Sequence, residues 1–218
     1  NLTKFINWYY ERGTPKVYVN QSWDSKKSIL NVSFEQKINS DKSNENIEMV
    51  IPILYSCYGR EKGAEPIVED KLFILDKNKK NLQINALNGE KDFPVLSIFR
   101  RFSSPVIWET DLSIDDYLFL FLNDNDCFSR WDSGQILMRE IIKNNIHKHV
   151  NYSLEYSFIN AIKETIKSLE INDSFLLSTL LTIPGLAELE PLFEKVDPIN
   201  IYKESLNFQV LIGNKIHQ

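Results

Sequence analysis

The spacing of apolar positions changes period along the chain, and each change predicts a new kind of element. Leu2, Phe5, Ile6 and Tyr9 recur at i, i+3, i+4 and i+7, which predicts an opening helix stopped at Gly13, with Pro15 just beyond. From residue 17 the period falls to two. Val17, Val19 and Gln21 alternate with Tyr18 and Asn20, Leu30, Val32 and Phe34 alternate again, and Asp24-Ser25-Lys26-Lys27 between them predicts a hairpin turn. Residues 41–48 read as a polar loop, and further strands are expected at 49–56, 72–75, 82–87, 96–102 and 105–109. About seven short strands with turn signals at close intervals predict a β-sandwich.

At Ser113 the period switches to about 3.6. Ser113 with Asp116 makes a capping box, Asp126 is placed to cap the next helix and Ser153 a third. In that third helix Leu154, Phe158, Ile162, Ile166 and Leu169 form the apolar stripe, leaving Glu155, Lys163, Glu164 and Lys167 for solvent. Asn172 or Asp173, Pro184 and Asp197-Pro198 mark later starts, proline being accepted at the first helical position. About six helices with short loops should pack antiparallel, and helices so paired also suit a solenoid.

Composition narrows the function classes. A chain of 218 residues with 43% hydrophobic content can bury substantial cores. Its net charge of −5 and pI near 5.3 disfavour nucleic acid, which selects a surplus of lysine and arginine. Apolar runs such as residues 117–122 fall well short of the roughly 20 residues that span a bilayer, so no membrane partner is expected. Cys57 and Cys127 are too few for a disulfide framework or a cysteine-ligated zinc site, and suit a reducing compartment. N-x-S/T sequons begin at Asn1, Asn20, Asn31, Asn151 and Asn172, but a chain rich in these residues produces several by chance. A helix that opens at Asn1 with no methionine and no preceding cap reads as a piece of something longer, and no signal-peptide pattern precedes it.

Catalytic patterns are missing. The His147-Lys148-His149 pair stands at i, i+2, which turns the rings to different sides of a helix, and neither this pair nor His217 belongs to an H-E-x-x-H motif. Solvated residues at a positive-charge-favouring helix end are the simpler reading. Seven glycines form no phosphate-cradling loop; the one in the 62–66 stretch is a simple loop. Asp124-Asn125-Asp126-Cys127 lacks the glycine and distal glutamate of a calcium loop and reads as a loop plus N-cap. Trp8-Tyr9 and Phe128 with Trp131 fall at spacings that predict buried stripes. No residue is assigned a catalytic, cofactor-binding or metal-binding role.

Several collinear stretches resemble the region that follows the catalytic domain in zinc aminopeptidases of the bacterial aminopeptidase N family, which are gluzincins. These are Trp8-Tyr9 with Gly13-Thr14-Pro15, Gln36 at a strand end, Ile51-Pro52-Ile53, the run 94–106 containing Arg100 and Arg101, Asp124–Gln135 and, more weakly, Phe175–Pro184 followed by Asp197-Pro198. Leu96 and Ser104 depart from the family pattern at positions that tolerate it. The resemblance implies a multi-domain β plus α fold: an Ig-like β-sandwich followed by an α-helical array, the start of an α-superhelix. It implies the end of a catalytic domain or a linker helix over 1–12, the sandwich over 13–111 and the helical domain over 112–218.

The resemblance further implies a non-catalytic spacer and active-site cover, inactive by itself, in a cytoplasmic enzyme that removes N-terminal residues from peptides. One zinc ion would sit outside this segment, and the partners would be the catalytic domain of the same polypeptide and peptide substrates. Read on architecture alone, the chain equally suits an independent protein-interaction module without peptidase activity, or a relative that has lost its zinc ligands. Arg100 and Arg101, if both lie in a strand, point to opposite faces and cannot grip one phosphate. At the family's recurring arginine position, Arg100 is expected to be a structural anchor paired with a carboxylate or backbone carbonyls, and Arg101 to be solvated.

Overall fold

Alternation fixes the first hairpin. β1 (Lys16–Asp24) and β2 (Ile29–Lys37) pair antiparallel with Val19 opposite Phe34, and Val17, Val19, Leu30, Val32 and Phe34 are all buried on one face. The turn closes because the Asp24 carboxylate accepts from the N–H groups of Lys26 and Lys27, at 3.1 Å each. The structure, a computed structural model, describes residues 4–38, 47–60, 65–85, 92–168 and 174–216. Leu2, residues 41–46, 62–64 and 86–87, Leu169, the Asn172/Asp173 cap and His217 lie outside them. Two units are distinguished, Asn1–Ser113 and Ile114–Gln218.

In the first unit the remaining strands are β3 (Ile51–Tyr58), β4 (Val68–Leu75), β5 (Lys79–Ile84), β6 (Val95–Ile98) and β7 (Ile107–Thr110). They form a four-stranded sheet in the order β5-β2-β1-β7 and a three-stranded sheet in the order β4-β3-β6. β7 runs parallel to β1; the other pairings are antiparallel. The two inner faces make one core, in which Phe34 stacks on Phe73 with ring centroids 4.9 Å apart. This is the β-sandwich expected from the strand pattern, with the Ig-like layering that the resemblance implies.

Gln36 stitches the end of β2 to its surroundings. Its amide nitrogen donates to the carbonyls of Met49 and Lys77, both at 3.0 Å, and its amide oxygen accepts from Met49 N–H at 2.8 Å. The side chain is buried, and its two bonds to Met49 answer backbone groups that are buried with it.

The opening helix is shorter than its stripe predicts. α1 spans only Asn7–Tyr10, and the chain is already extended at Glu11, two residues before Gly13. Phe5, Ile6 and Tyr9 are exposed at 44%, 46% and 81%, so the burial expected for Trp8-Tyr9 is corrected at Tyr9, while Trp8 is partly buried against the sandwich core. Hydrogen bonding holds the segment instead: Trp8 donates its indole N–H to the Val50 carbonyl at 3.0 Å, Asn7 donates to the Glu48 carbonyl at 2.9 Å, and Lys4 pairs with the Glu48 carboxylate.

The second unit contains α2 (Ile114–Asn123), α3 (Cys127–Ile146), α4 (Tyr152–Ser168), α5 (Ser174–Leu180), α6 (Leu186–Leu189) and α7 (Pro198–Ile216). The predicted caps at Asp126 and Asp197 accept from Ser129 N–H at 2.9 Å and Asn200 N–H at 3.1 Å. The third cap is Asn151 rather than Ser153: its side-chain oxygen accepts from Leu154 N–H at 3.1 Å. Ser153 is the second residue of the helix and cannot serve as its cap, and asparagine is an equally good capping residue two positions earlier. Near Pro184, α6 starts after Gly185, whose N–H donates to Glu188 at 2.7 Å. Leu154, Phe158 and Ile162 enter the core with Leu137, Met138 and Ile141 of α3 and Ile201 and Phe208 of α7. The helical array thus matches its predicted class.

Replacing Gln36 with alanine leaves the buried Met49 N–H and carbonyl without their partner. Denaturant unfolding followed on the sandwich should show a loss of about 2–3 kcal/mol, against almost none for Gln83→Ala on the exposed sheet face.

Candidate functional site

Strand β6 ends earlier than the alternation predicts. After Ile98 the chain turns through Phe99 (φ 55°), Arg101 (φ 54°) and Phe102 (φ 52°), and Arg100–Phe102 form a single 3₁₀ turn. Left-handed backbone at residues with a Cβ persists only where surroundings enforce it. Here they do. Ser104 donates to the Pro52 carbonyl at 2.6 Å, Ser103 Oγ accepts from Leu54 N–H at 3.1 Å, and Phe99 is fully buried with its ring stacked on Trp108 at 4.8 Å.

The arginine pair is therefore not split across a strand. Arg100 is buried and donates from Nε to Asp70 Oδ1 at 2.8 Å and from Nη1 to the Tyr58 hydroxyl at 3.1 Å. Arg101, with 69% of its side chain exposed, pairs through Nη2 with the other oxygen of the same carboxylate. The expected carboxylate partner of Arg100 is found; the expectation that Arg101 is merely solvated, and that the two cannot meet one group, is corrected. The left-handed turn removes the strand alternation on which it rested.

Asp70 is the residue that the sequence left unmarked. It lies where the β3–β4 register shifts between Tyr55 and Cys57, has φ 45°, and donates its N–H to Ser56 Oγ at 2.9 Å. A bulge of this kind turns a side chain away from its regular direction.

The helical unit has a comparable polar cluster at 124–135. Asp124 accepts from Asp126 N–H at 2.8 Å, Asp126 accepts from both the N–H and the hydroxyl of Ser129, and Gln135 donates to the Thr182 carbonyl at 2.8 Å. Arg130 donates to the Phe121 carbonyl at 2.9 Å and to the Thr165 hydroxyl at 3.3 Å, and burial lowers its pKa. Gly134 sits where an added Cβ would come within 3.1 Å of the Phe121 ring. Desolvation pushes the neighbouring Asp132 up to about 6, with Arg139 pulling it partly back.

Phe128 and Trp131 are only partly buried. Their rings, 5.7 Å apart, line an apolar groove of about 330 Å³ with Phe175, which is 83% exposed, so the expected buried stripe is corrected. A second groove of about 390 Å³ on the sandwich is lined by Phe5, Trp8, Tyr9, Pro52 and Pro105. Neither Cys57, which is buried, nor Cys127, which is exposed, forms a disulfide. His147 closes α3 with its ring 5.6 Å from Phe193, exposed as expected. Among the described residues no three His, Cys, Asp or Glu side chains gather to hold a metal, and no helix is long and apolar enough to cross a membrane.

Residues 13–111 match a domain of unknown function with an Ig-like fold (DUF3458), and residues 114–218 match its companion of ARM repeats (DUF3458_C). The chain is 28% identical to aminopeptidase N of Escherichia coli over 92% of its length, and 24% identical to that of Haemophilus influenzae over 99%. It is homologous to the C-terminal region of aminopeptidase N. It spans about a quarter of the length of these relatives, 24% and 25%. The fold is shared with the crystal structure of Legionella pneumophila aminopeptidase A in complex with aspartic acid, at a TM-score of 0.82, 24% identity, and coverage of 99% of this chain and 24% of that one. The positions that carried the aminopeptidase N resemblance, Gln36, Arg100, Asp126, Arg130 and Gln135, are those that satisfy backbone groups or buried charge inside the two units.

Arg100→Ala removes the buried partner of Asp70 Oδ1 and of the Tyr58 hydroxyl and should cost about 3 kcal/mol in denaturant unfolding, against under about 1 kcal/mol for the exposed Arg101→Ala; equal losses would contradict the assignment. Asp132, at an ordinary carboxylate value when unfolded, binds more protons folded than unfolded between about pH 4 and 6, so its contribution is full below that window and lost above it. Asp132→Asn should therefore raise the melting temperature of the helical unit relative to the parent at pH 7.5 and not at pH 4.

Proposed function

We propose that this chain serves as the non-catalytic C-terminal part of a zinc-dependent aminopeptidase that removes N-terminal residues from peptides. Residues 1–12 are the end of the catalytic domain or a linker helix, 13–111 a spacer, and 112–218 the start of a helical cover over the active site. The observation that carries this reading is the pairing of coverages: similarity to aminopeptidase N runs along nearly the whole chain yet occupies only about a quarter of each relative.

Zinc belongs to the catalytic domain of the same polypeptide, which is the principal partner. None of the described side chains here gathers into a set that fits the ion. The ion would activate the attacking water there. What this segment contributes is shape: a cover that excludes water and limits substrate size depends on a spacer that does not yield. The polar networks around Arg100 and Gln36 give the spacer that stiffness. Cysteines outside disulfides suit a cytoplasmic setting.

The purified 218-residue chain should release no chromophore from aminoacyl-anilides, with zinc added or absent. Turnover above background that a chelator abolishes would contradict the proposal.

A further inference from the structure

The outer face of the four-stranded sheet changes chemistry from one row of side chains to the next. Val17, Val19, Leu30, Val32 and Phe34 point into the core, so the residues that alternate with them point out. The first outward row is Tyr18, Glu35 and Lys79, an ordinary exposed set, with Lys37 Nζ 5.0 Å from the Tyr18 ring centroid and 3.1 Å from the Glu35 carboxylate. The next two rows are Asn20, Ser33 and Asn81, then Ser22, Asn31 and Gln83, each in register across β1, β2 and β5. These two rows line an open hollow of about 310 Å³.

All six residues carry a carboxamide or a hydroxyl and none carries a charge, in a chain of which 25% of residues are charged. Asparagine is depleted from strands, and a sheet face that meets only water is better served by β-branched, aromatic or oppositely charged pairs. Asn20, Asn31 and Asn81 therefore weaken the strands that carry them. Gln83 Nε2 donates to Asn31 Oδ1 at 2.9 Å, which orients two of the amides, and Asn20, Ser22 and Asn81 stand exposed beside them. The lining selects its ligand. It offers no countercharge to an ion, and an apolar ligand would leave the covered amides unpaired. Carboxamides and hydroxyls both donate and accept, which matches a neutral molecule whose own groups do both, and saccharide hydroxyls are of that class. A peptide strand instead adds to a sheet edge through main-chain bonds, not to a face.

We propose that the Asn20–Ser33–Asn81 and Ser22–Asn31–Gln83 rows form a binding face for a soluble neutral oligosaccharide, laid across β1, β2 and β5 with its hydroxyls on the amides. Four of these residues are the first and third positions of the sequons at Asn20 and Asn31, which an extended strand turns to one face. The inference rests on the sandwich, not on the peptidase reading.

The test is a magnetic-resonance titration of the isotope-labelled 218-residue chain with maltohexaose, cellohexaose and chitohexaose, followed on the side-chain amide signals. At up to about 10 mM of probe, at least one of the three should give saturable shifts at Asn20, Asn31, Asn81 and Gln83 and leave the amides of the helical unit in place. Asn20→Ala and Asn81→Ala, in chains that melt at the parent temperature, should each weaken that binding about fivefold. No shift with any of the three, or shifts that both substitutions leave at full affinity, would overturn the proposal. Equal shifts with a hyaluronan hexasaccharide, whose carboxylates the face does not balance, would also overturn it. So would a glycan found covalently attached at Asn20 or Asn31 in the protein purified from its natural source, by assigning the face to a modification. None of these readouts involves peptide hydrolysis, so either reading can fail without the other.

Discussion

The buried guanidinium of Arg100 sits at the corner where the chain leaves the three-stranded sheet at β6 and crosses to the four-stranded sheet at β7. A charge with its side chain only 2% exposed has to be neutralised where it stands. Asp70 supplies the opposite charge, the β4 bulge aims it, and Ser56 holds the bulge. The same corner carries left-handed backbone at three residues with side chains, each disfavoured alone. The guanidinium pair, the Ser103 and Ser104 bonds to β3 and the Phe99–Trp108 stack together enforce it. Without that corner β7 would not reach its parallel position beside β1.

The helical unit uses the same logic with different groups. Asp124 and Asp126 organise the turn into α3, Arg130 reaches the last residues of α2 and the body of α4, and Gln135 ties α3 to the end of α5. Each bond serves a backbone group or a buried side chain rather than an open cleft.

Much of the architecture was legible because its signals are local. Period-two alternation located the strands and the Asp24 turn, and aspartate or proline at helix starts located α3 and α7. What escaped was set by distant partners. Asp70 lies 30 residues from Arg100 and gains its role only through a bulge, which no alternation pattern reveals. The Phe99 turn was read as strand because Phe-Arg-Arg-Phe continues the β-like composition, while the left-handed angles come from tertiary contacts. The stripe at Phe5, Ile6 and Tyr9 was rightly seen as apolar, but apolarity does not say that this chain buries it. Gln36 was visible as a position and not as a clamp, since its three partners belong to segments that only the sandwich brings together.

The most direct test is a double-mutant cycle on Arg100 and Asp70, with Arg100→Met, Asp70→Asn and the pair, read by denaturant unfolding of the sandwich. If the ion pair enforces the corner, the two changes should be strongly non-additive, with a coupling energy of about 2 kcal/mol. Additive losses would mean that the corner is held by packing alone, and that the arginine is a passenger in it.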